Sequence, residues 1–415
     1  MKNRFFTMLF LGMMVVSASA QISNTLSPYS QFGLGVLSDQ SQGFNRGMGG
    51  LTYGLRDSKN VNMQNPASYS AIDSLTMIFD MGLSGQMTNF QEGQKKLNAK
   101  TGDFDYAVAL FRVMPKMGVS FGIVPYSNIG YSFYQTSTVN GLLSTTAYSG
   151  DGGFSQAYIG VGYEVIPRLS VGANLSYFWG KYDKSVVNAT SETNASTLTR
   201  SYSTSVSSYK LDLGVQWQKS VNKDNLLTIG ATVGLGHKLH GDAVLDTLSV
   251  RDAFSLPFTV GVGASLLHKN SLLVGVDYSM QKWGGIDYPV LNNATKQYTN
   301  QSGVLKDRHK LTLGADWLPS ANPLTRNFFK RVHYRAGISY ATPYYNIGTH
   351  EGPKELTMSA GFGIPIINSW NTRSVINISA QWVHASAKNL ITENTFRINI
   401  GLTFNERWFA KWKVD

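Results

Sequence analysis

The chain contains no cysteine, which excludes a disulfide framework and a thiolate metal site. Beyond residue 20 it also lacks any apolar run near the roughly 20 residues that a spanning helix requires. Histidine is sparse, at seven residues in 415. The closest pair, His237 and His240, has no convincing third ligand, so no metal is expected there. No nucleophile–base pairing stands out, and Gly261-Val262-Gly263 lies inside a strand-like segment, where it is no dinucleotide loop. Neither an enzymatic activity nor a cofactor is expected. Charged residues make up 15% of the chain, with a formal net charge of +11. The excess is scattered over Lys95, Lys96 and Lys100, over Arg326, Lys330 and Arg331, and over Arg407, Lys411 and Lys413. Nucleic-acid binding needs a basic stripe interleaved with aromatics on one element. That is absent, so no nucleic-acid partner is expected, and basic rims facing lipid phosphates explain the charges better.

What the chain has is alternation. In the stretch 169–179, Leu169, Val171, Ala173, Leu175, Tyr177 and Trp179 are apolar, and the residues between are mostly small or polar. A period of two means that one face of a strand meets an apolar medium and the other does not. The pattern predicts fourteen strands, at 74–90, 103–114, 117–135, 154–166, 168–184, 201–219, 225–238, 255–268, 270–283, 305–318, 332–341, 355–364, 374–384 and 395–404. Connections after odd strands are long; most after even strands are tight, as at Pro115-Lys116, Pro167 and Lys269-Asn270. Short turns on one side and long loops on the other, with an even strand number, are the signature of a transmembrane antiparallel β-barrel. A soluble β-sandwich would alternate too, but with charges outside and no alternation of loop length. Phe258, Val260, Val262, Ala264 and Leu266 are expected to face lipid. Tyr177, Trp179, Trp217, Trp283, Trp317 and Trp382 are expected in interfacial girdles. Glycines concentrate on the inward face, which fits either something packed inside or easier barrel curvature.

Residues 1–20 read as a secretory signal: Lys2 and Arg4, an apolar stretch from Phe5 to Val16, then Ala18-Ser19-Ala20 as cleavage site. The expected organisation is a signal peptide at 1–20, an N-terminal hatch at 21–72, a barrel at 73–404 and a periplasmic tail at 405–415, placed in a bacterial outer membrane. Residues 21–72 are too apolar and glycine-rich for an exposed tail. Irregular backbone at membrane depth is tolerated inside a lumen, where barrel side chains supply hydrogen bonds.

The residues Arg46-Gly-Met-Gly-Gly-Leu51, followed after about a dozen residues by Asn65-Pro66-Ala67-Ser68-Tyr69, resemble the hatch of the FadL/TodX family. Its members are fourteen-stranded outer-membrane channels for long-chain fatty acids and aromatic hydrocarbons. The resemblance covers the mature chain in architecture and residues 46–72 in motif. It implies a plug carrying the Asn65-Pro66-Ala67 motif. In physical terms Pro66 holds φ and removes a donor, while Asn65 bonds back to nearby backbone.

The third strand contains Pro125, followed by Tyr126, Ser127, Asn128 and Gly130. Proline cannot donate to a ladder, so this strand is expected to bulge or kink and to lose pairing with a neighbour. The family resemblance implies a kink at the same strand with a lateral exit into lipid; a bulge without traffic is the plainer alternative. Inward parity places Lys210, Asp212, Asp277, Lys310, Asp316, Arg335 and Arg397 in the lumen. Arg335 and Arg397 are candidates for an anionic headgroup, although cations and carboxylates there also serve to anchor strands or hatch. Phe90, Leu142, Leu143 and Tyr148 are candidates for an outer capture surface.

The expected function is passive uptake of a hydrophobic small molecule of fatty-acid type, with the ligand and outer-membrane lipids as partners. One rival is a barrel of similar hatch and strand count, such as the PorV type, that serves as an accessory in protein secretion or outer-membrane assembly. Its protein partners on the periplasmic side would dock on connection 319–331 and on the tail Glu406 to Lys413. The other rival is an aqueous porin.

Overall fold

A computed structural model describes residues 26–139, 142–190, 197–245, 248–292, 297–320, 322, 325–366 and 374–407. The signal-like residues 1–20 and most of the tail, 408–415, lie outside them. Fourteen strands form the wall. The first seven are β1 (Thr76–Glu92), β2 (Lys95–Met114), β3 (Met117–Val139), β4 (Leu142–Ile166), β5 (Leu169–Thr190), β6 (Leu198–Ser220) and β7 (Asn225–Gly234). The remainder are β8 (Phe258–His268), β9 (Leu272–Lys282), β10 (Arg308–Trp317), β11 (His333–Ala341), β12 (Lys354–Ile366), β13 (Ser374–Ser386) and β14 (Thr392–Arg407). Each is antiparallel to its neighbours, and β14 pairs with β1 from Thr76↔Arg407 to Gln91↔Thr392, which closes the sheet into a barrel. Closure removes the unpaired edges that lipid does not tolerate.

The alternation maps onto the two faces. Phe396, Ile398, Ile400, Leu402 and Phe404 are exposed, whereas Asn399, Gly401, Thr403 and Asn405 between them are buried. Val262 and Leu266 are likewise exposed, opposite buried Ser265. Outward apolar side chains in this number would be a liability in water and are required in hydrocarbon. No helix among the described residues is long and apolar enough to cross a membrane. Outward Trp317 packs on Tyr334 and Tyr334 on Phe362, forming part of an aromatic belt. The tight turns place Lys116, Arg168, Lys269 and Asn270 at positive φ, the conformation that matches two-residue hairpins to strand twist.

Three expectations need correction. The loops expected at 91–102 and 136–153 are largely strand: β1 and β2 run to a turn at Gly93-Gln94, and β3 and β4 continue to Val139 and Leu142. Both faces there meet water, so the alternation fades while the ladder continues. Trp283 is no girdle residue: it is fully buried, donates Nε1–H to Gln281 and packs on Tyr344. Phe90 is buried and offers no outer capture surface.

Candidate functional site

Residues 26–72 lie within the ring of strands and are tied to it on every side. The Arg46 guanidinium meets Asp105 of β2 at 2.6 Å and donates to Asn399 of β14. Gly43 N–H donates to the Tyr106 hydroxyl, and Gly49 N–H to Ser359 of β12. Asp277 of β9 accepts from the backbone N–H groups of Thr52 and Tyr53. Ser265 of β8 donates to Gly54 O, Gln216 of β6 to Leu55 O, and Asn174 of β5 to Met63 O. An irregular segment buried at this depth needs such partners, because an unpaired buried polar group costs about 1–3 kcal/mol.

The inward glycines are seats for this segment. A Cβ at Gly172 would stand 2.4 Å from the Pro66 carbonyl carbon, one at Gly230 1.9 Å from Tyr53 O, and one at Gly337 2.1 Å from the Met48 carbonyl carbon. Asn65 sits between β5, β6 and β7: its side-chain oxygen caps Ala67 N–H, and its amide donates to Tyr53 O. Pro66 opens a 3-10 turn, Pro66–Ala71, where its missing donor is harmless. Asn65 and Ala67 are fully buried.

Asp39 is half-buried beside Arg46 and Lys310. Burial alone would raise its carboxyl, but the two cations outweigh that and hold it well below the usual carboxylate range. Burial likewise works against the Arg46 charge, and Asp105 and Asp39 reverse it. Both groups stay ionised at neutral pH.

The wall is interrupted at one level. β2 and β3 pair only from Met114↔Met117 up to Ala107↔Ile123. On β2 a register shift leaves Asp105 unmatched against β1, and on β3 another leaves Tyr126 unmatched against β4. Each bulge turns one extra residue inward, and each is spent on the N-terminal segment or its surroundings. Asp105 holds Arg46, and Tyr126 packs edge-on against Phe178. Above Pro125 the inner segment takes the edge that β2 has given up. Val36 and Leu37 pair with Asn128 and Ser127, and Ser38 N–H donates to Tyr126 O. Gln40 donates to Pro125 O, Ser127 to Leu34 O, and Ser30 Oγ bonds both backbone groups of Gly130. Asn128 reaches Ser38 and, at 3.4 Å, Asp103 across the gap. All five candidate residues at the kink therefore touch the N-terminal segment or the neighbouring strand.

Small cavities border this junction. One of about 40 Å³ opens at the gap, lined by Asp103, Asp105, Pro125, Asn128 and Arg397. One of about 190 Å³ lies above Gly49 and Tyr53, lined by Tyr126, Arg308, Lys310, Glu355 and Arg397. Arg397 also lines a third, of about 90 Å³, and is held by two hydrogen bonds to Gln86. Arg335 is placed elsewhere: it is buried, paired with Asp316 and bonded to Asn377. Arg335 therefore ties β10, β11 and β13 together, away from the cavities that Arg397 borders. The sequence reading missed Arg308 and Glu355, which form an ion pair at the cavity wall, and the aromatic roof formed with Tyr29, Phe154, Phe178, Phe254 and Tyr344. Arg308 shares the inward parity of Lys310 in the expected strand 305–318, whereas Tyr29, Phe254 and Tyr344 lie outside the wall strands, where alternation carries no signal.

A family model described as BamG matches residues 1–415. The chain belongs to the BamG family. No curated protein matches it. Among solved structures, the toluene transporter TbuX of Ralstonia pickettii aligns with a TM-score of 0.59 at 16% identity, over 90% of this chain and 99% of that one. The toluene transporter TodX of Pseudomonas putida gives 0.59 at 14% identity, over 91% and 100%. A FadL homologue of Pseudomonas aeruginosa gives 0.54 at 12%, over 89% and 98%. The barrel of this BamG-family chain thus has the fold of hydrocarbon transporters of FadL type, as the resemblance implied. At these identities the likeness concerns the fold.

Proposed function

We propose that this protein is an outer-membrane barrel through which hydrophobic small molecules pass without energy input, with residues 21–72 as hatch and the β2–β3 gap as lateral exit into lipid. The observation that carries the reading is the loss of β2–β3 pairing above Ala107↔Ile123, beside Pro125. An apolar solute gains about 0.8 kcal/mol for each CH₂ removed from water, so leaving sideways spares it the periplasm. Arg397 is the group placed to meet an anionic end, since it borders three of the cavities. The absence of native cysteine makes a direct test simple. The Asn128 and Asp103 side chains approach across the gap, but tip-to-tip contact leaves their Cβ atoms beyond disulfide reach. Asn128→Cys with Asp103→Cys, joined by a short reducible bis-thiosulfonate cross-linker, is therefore expected to stop uptake of a labelled fatty acid or toluene and restore it on reduction. Uptake that continues with the bridge formed removes the lateral exit.

A specific observation favours a second reading, in which the barrel is a non-transporting subunit that docks other proteins. The cavity at the gap and the one above Gly49, at about 40 and 190 Å³, fall below the roughly 300–1,000 Å³ of ligand sites. The gap is bordered by the charged Asp103, Asp105 and Arg397 as well as by Val36, Leu37, Phe104 and Pro125, so an apolar solute leaving there would pass ionised groups. Mass spectrometry separates the readings: bound lipid or hydrocarbon in the purified protein supports transport, and a stoichiometric protein partner without small molecule supports docking.

A further inference from the structure

From the backbone of β3 above the wall gap, we infer a second use for this strand: an acceptor edge for an extended polypeptide strand contributed by another protein at the outer surface. The inference does not depend on what passes the lumen.

In an antiparallel ladder the N–H and C=O of one residue point to the same side, and successive residues alternate sides. In β3, Tyr126 O and both backbone groups of Gly130 point away from β4, because they are bonded to Ser38 and Ser30. Continuing by twos, Ser132, Tyr134, Thr136 and Thr138 direct four N–H and four C=O groups to the same free side. Among the described residues no strand pairs with that side above Asn128, while the other side remains paired with β4 as far as Val139↔Leu142. Ser132 and Tyr134 to Thr138 are exposed, Tyr134 by 75%, so nothing described covers the edge.

Unpaired edges are normally blunted by charge, proline or a bulge. The facing edge of β2 follows the rule, with Lys95, Lys96 and Lys100. Residues 131–138, Tyr-Ser-Phe-Tyr-Gln-Thr-Ser-Thr, contain no charge, proline or glycine and are rich in β-formers. The occupant is argued from what already sits there. Val36 and Leu37 add to this same edge as a short strand immediately below, so an incoming strand would extend an augmentation that the molecule makes with its own chain. Recognition by strand addition takes its affinity from main-chain hydrogen bonds. Two copies standing upright in one membrane would bring two ascending β3 strands together in parallel, so a descending segment of a different chain fits the edge better.

The test uses the full-length protein in its native outer membrane, with a photoreactive amino acid at position 132. The expected result is a covalent adduct to a polypeptide other than this chain. That adduct should be lost in Thr136→Pro, which deletes an edge N–H, and kept in Thr136→Ala, which changes only the side chain. Thr138→Pro, nearer the hairpin tip, serves if Thr136→Pro loses the heat-modifiable migration of a folded barrel. Amides of 131–138 should also exchange about tenfold or more slowly in native membranes than in the purified protein. Four results overturn the inference: an adduct to a second copy of this chain, an adduct indifferent to proline, no polypeptide adduct, or equal exchange in both settings.

Discussion

At the scale of single residues, the lumen works by charge pairing and by the absence of Cβ atoms. Arg46 is 2% exposed and neutralises Asp105 and Asp39 together. Removing one partner of a buried pair strands the other charge, at a cost of about 3–5 kcal/mol. Arg46→Ala should therefore lower the unfolding midpoint of the purified barrel markedly, with Arg46→Met/Asp105→Leu recovering much of the loss; equal loss in both would mean that packing, not charge, holds the segment. The glycines act by allowing contact. Gly337→Val places side-chain atoms where the Met48 backbone stands, so it should displace the N-terminal segment and raise the sugar permeability of proteoliposomes, which is expected to be negligible for the unaltered protein. Permeability that stays low would show that the segment can shift without opening a path. That glycines line the interior was legible in the sequence. Which backbone each one receives was not, because Met48 and Gly337 come together only once the barrel has closed.

At the scale of elements, all fourteen strands could be read because a membrane solvates one face and water the other, and that difference writes a period of two. The reading failed where the difference disappears. Residues 95–102 and 142–153 continue their ladders without a regular apolar face, and such stretches look like loops. Pro125 announced a bulge because its chemistry is local. The matching bulge at Asp105 carried no proline or glycine at the bulged position and became visible only in the register against β1. The two make different predictions about cause. If Pro125 itself ends the β2–β3 ladder, Pro125→Val should extend pairing upward and slow amide exchange at residues 103–106. If the ladder ends because Val36 and Leu37 have taken the edge, exchange there will not change, and Leu37→Pro will be the substitution that alters it.

At the scale of the whole molecule, the wall is uneven in height. Strands β3 to β6 have 23, 25, 22 and 23 residues, whereas β7, β10 and β11 have 10, 10 and 9. A tilted strand needs about 9–11 residues to cross hydrocarbon, so the short strands are nearly all membrane and the tall ones stand well clear of it on one side. The opposite rim carries the tight turns and the 3-10 turn Phe328–Lys330, where Phe329 is 69% exposed and its carbonyl accepts from Tyr334 of the aromatic belt. If the tall side faces the cell exterior, single cysteines introduced into this cysteine-free chain report it directly. Ser137→Cys, on the tall side, should react with a membrane-impermeant maleimide on intact cells. Lys330→Cys should react only after the outer membrane is permeabilised, and Val262→Cys, facing lipid, in neither condition. Reversal of the first two would invert the barrel and place the free edge of β3 in the periplasm; labelling of Val262→Cys in intact cells would mean that water, not lipid, wets the apolar face.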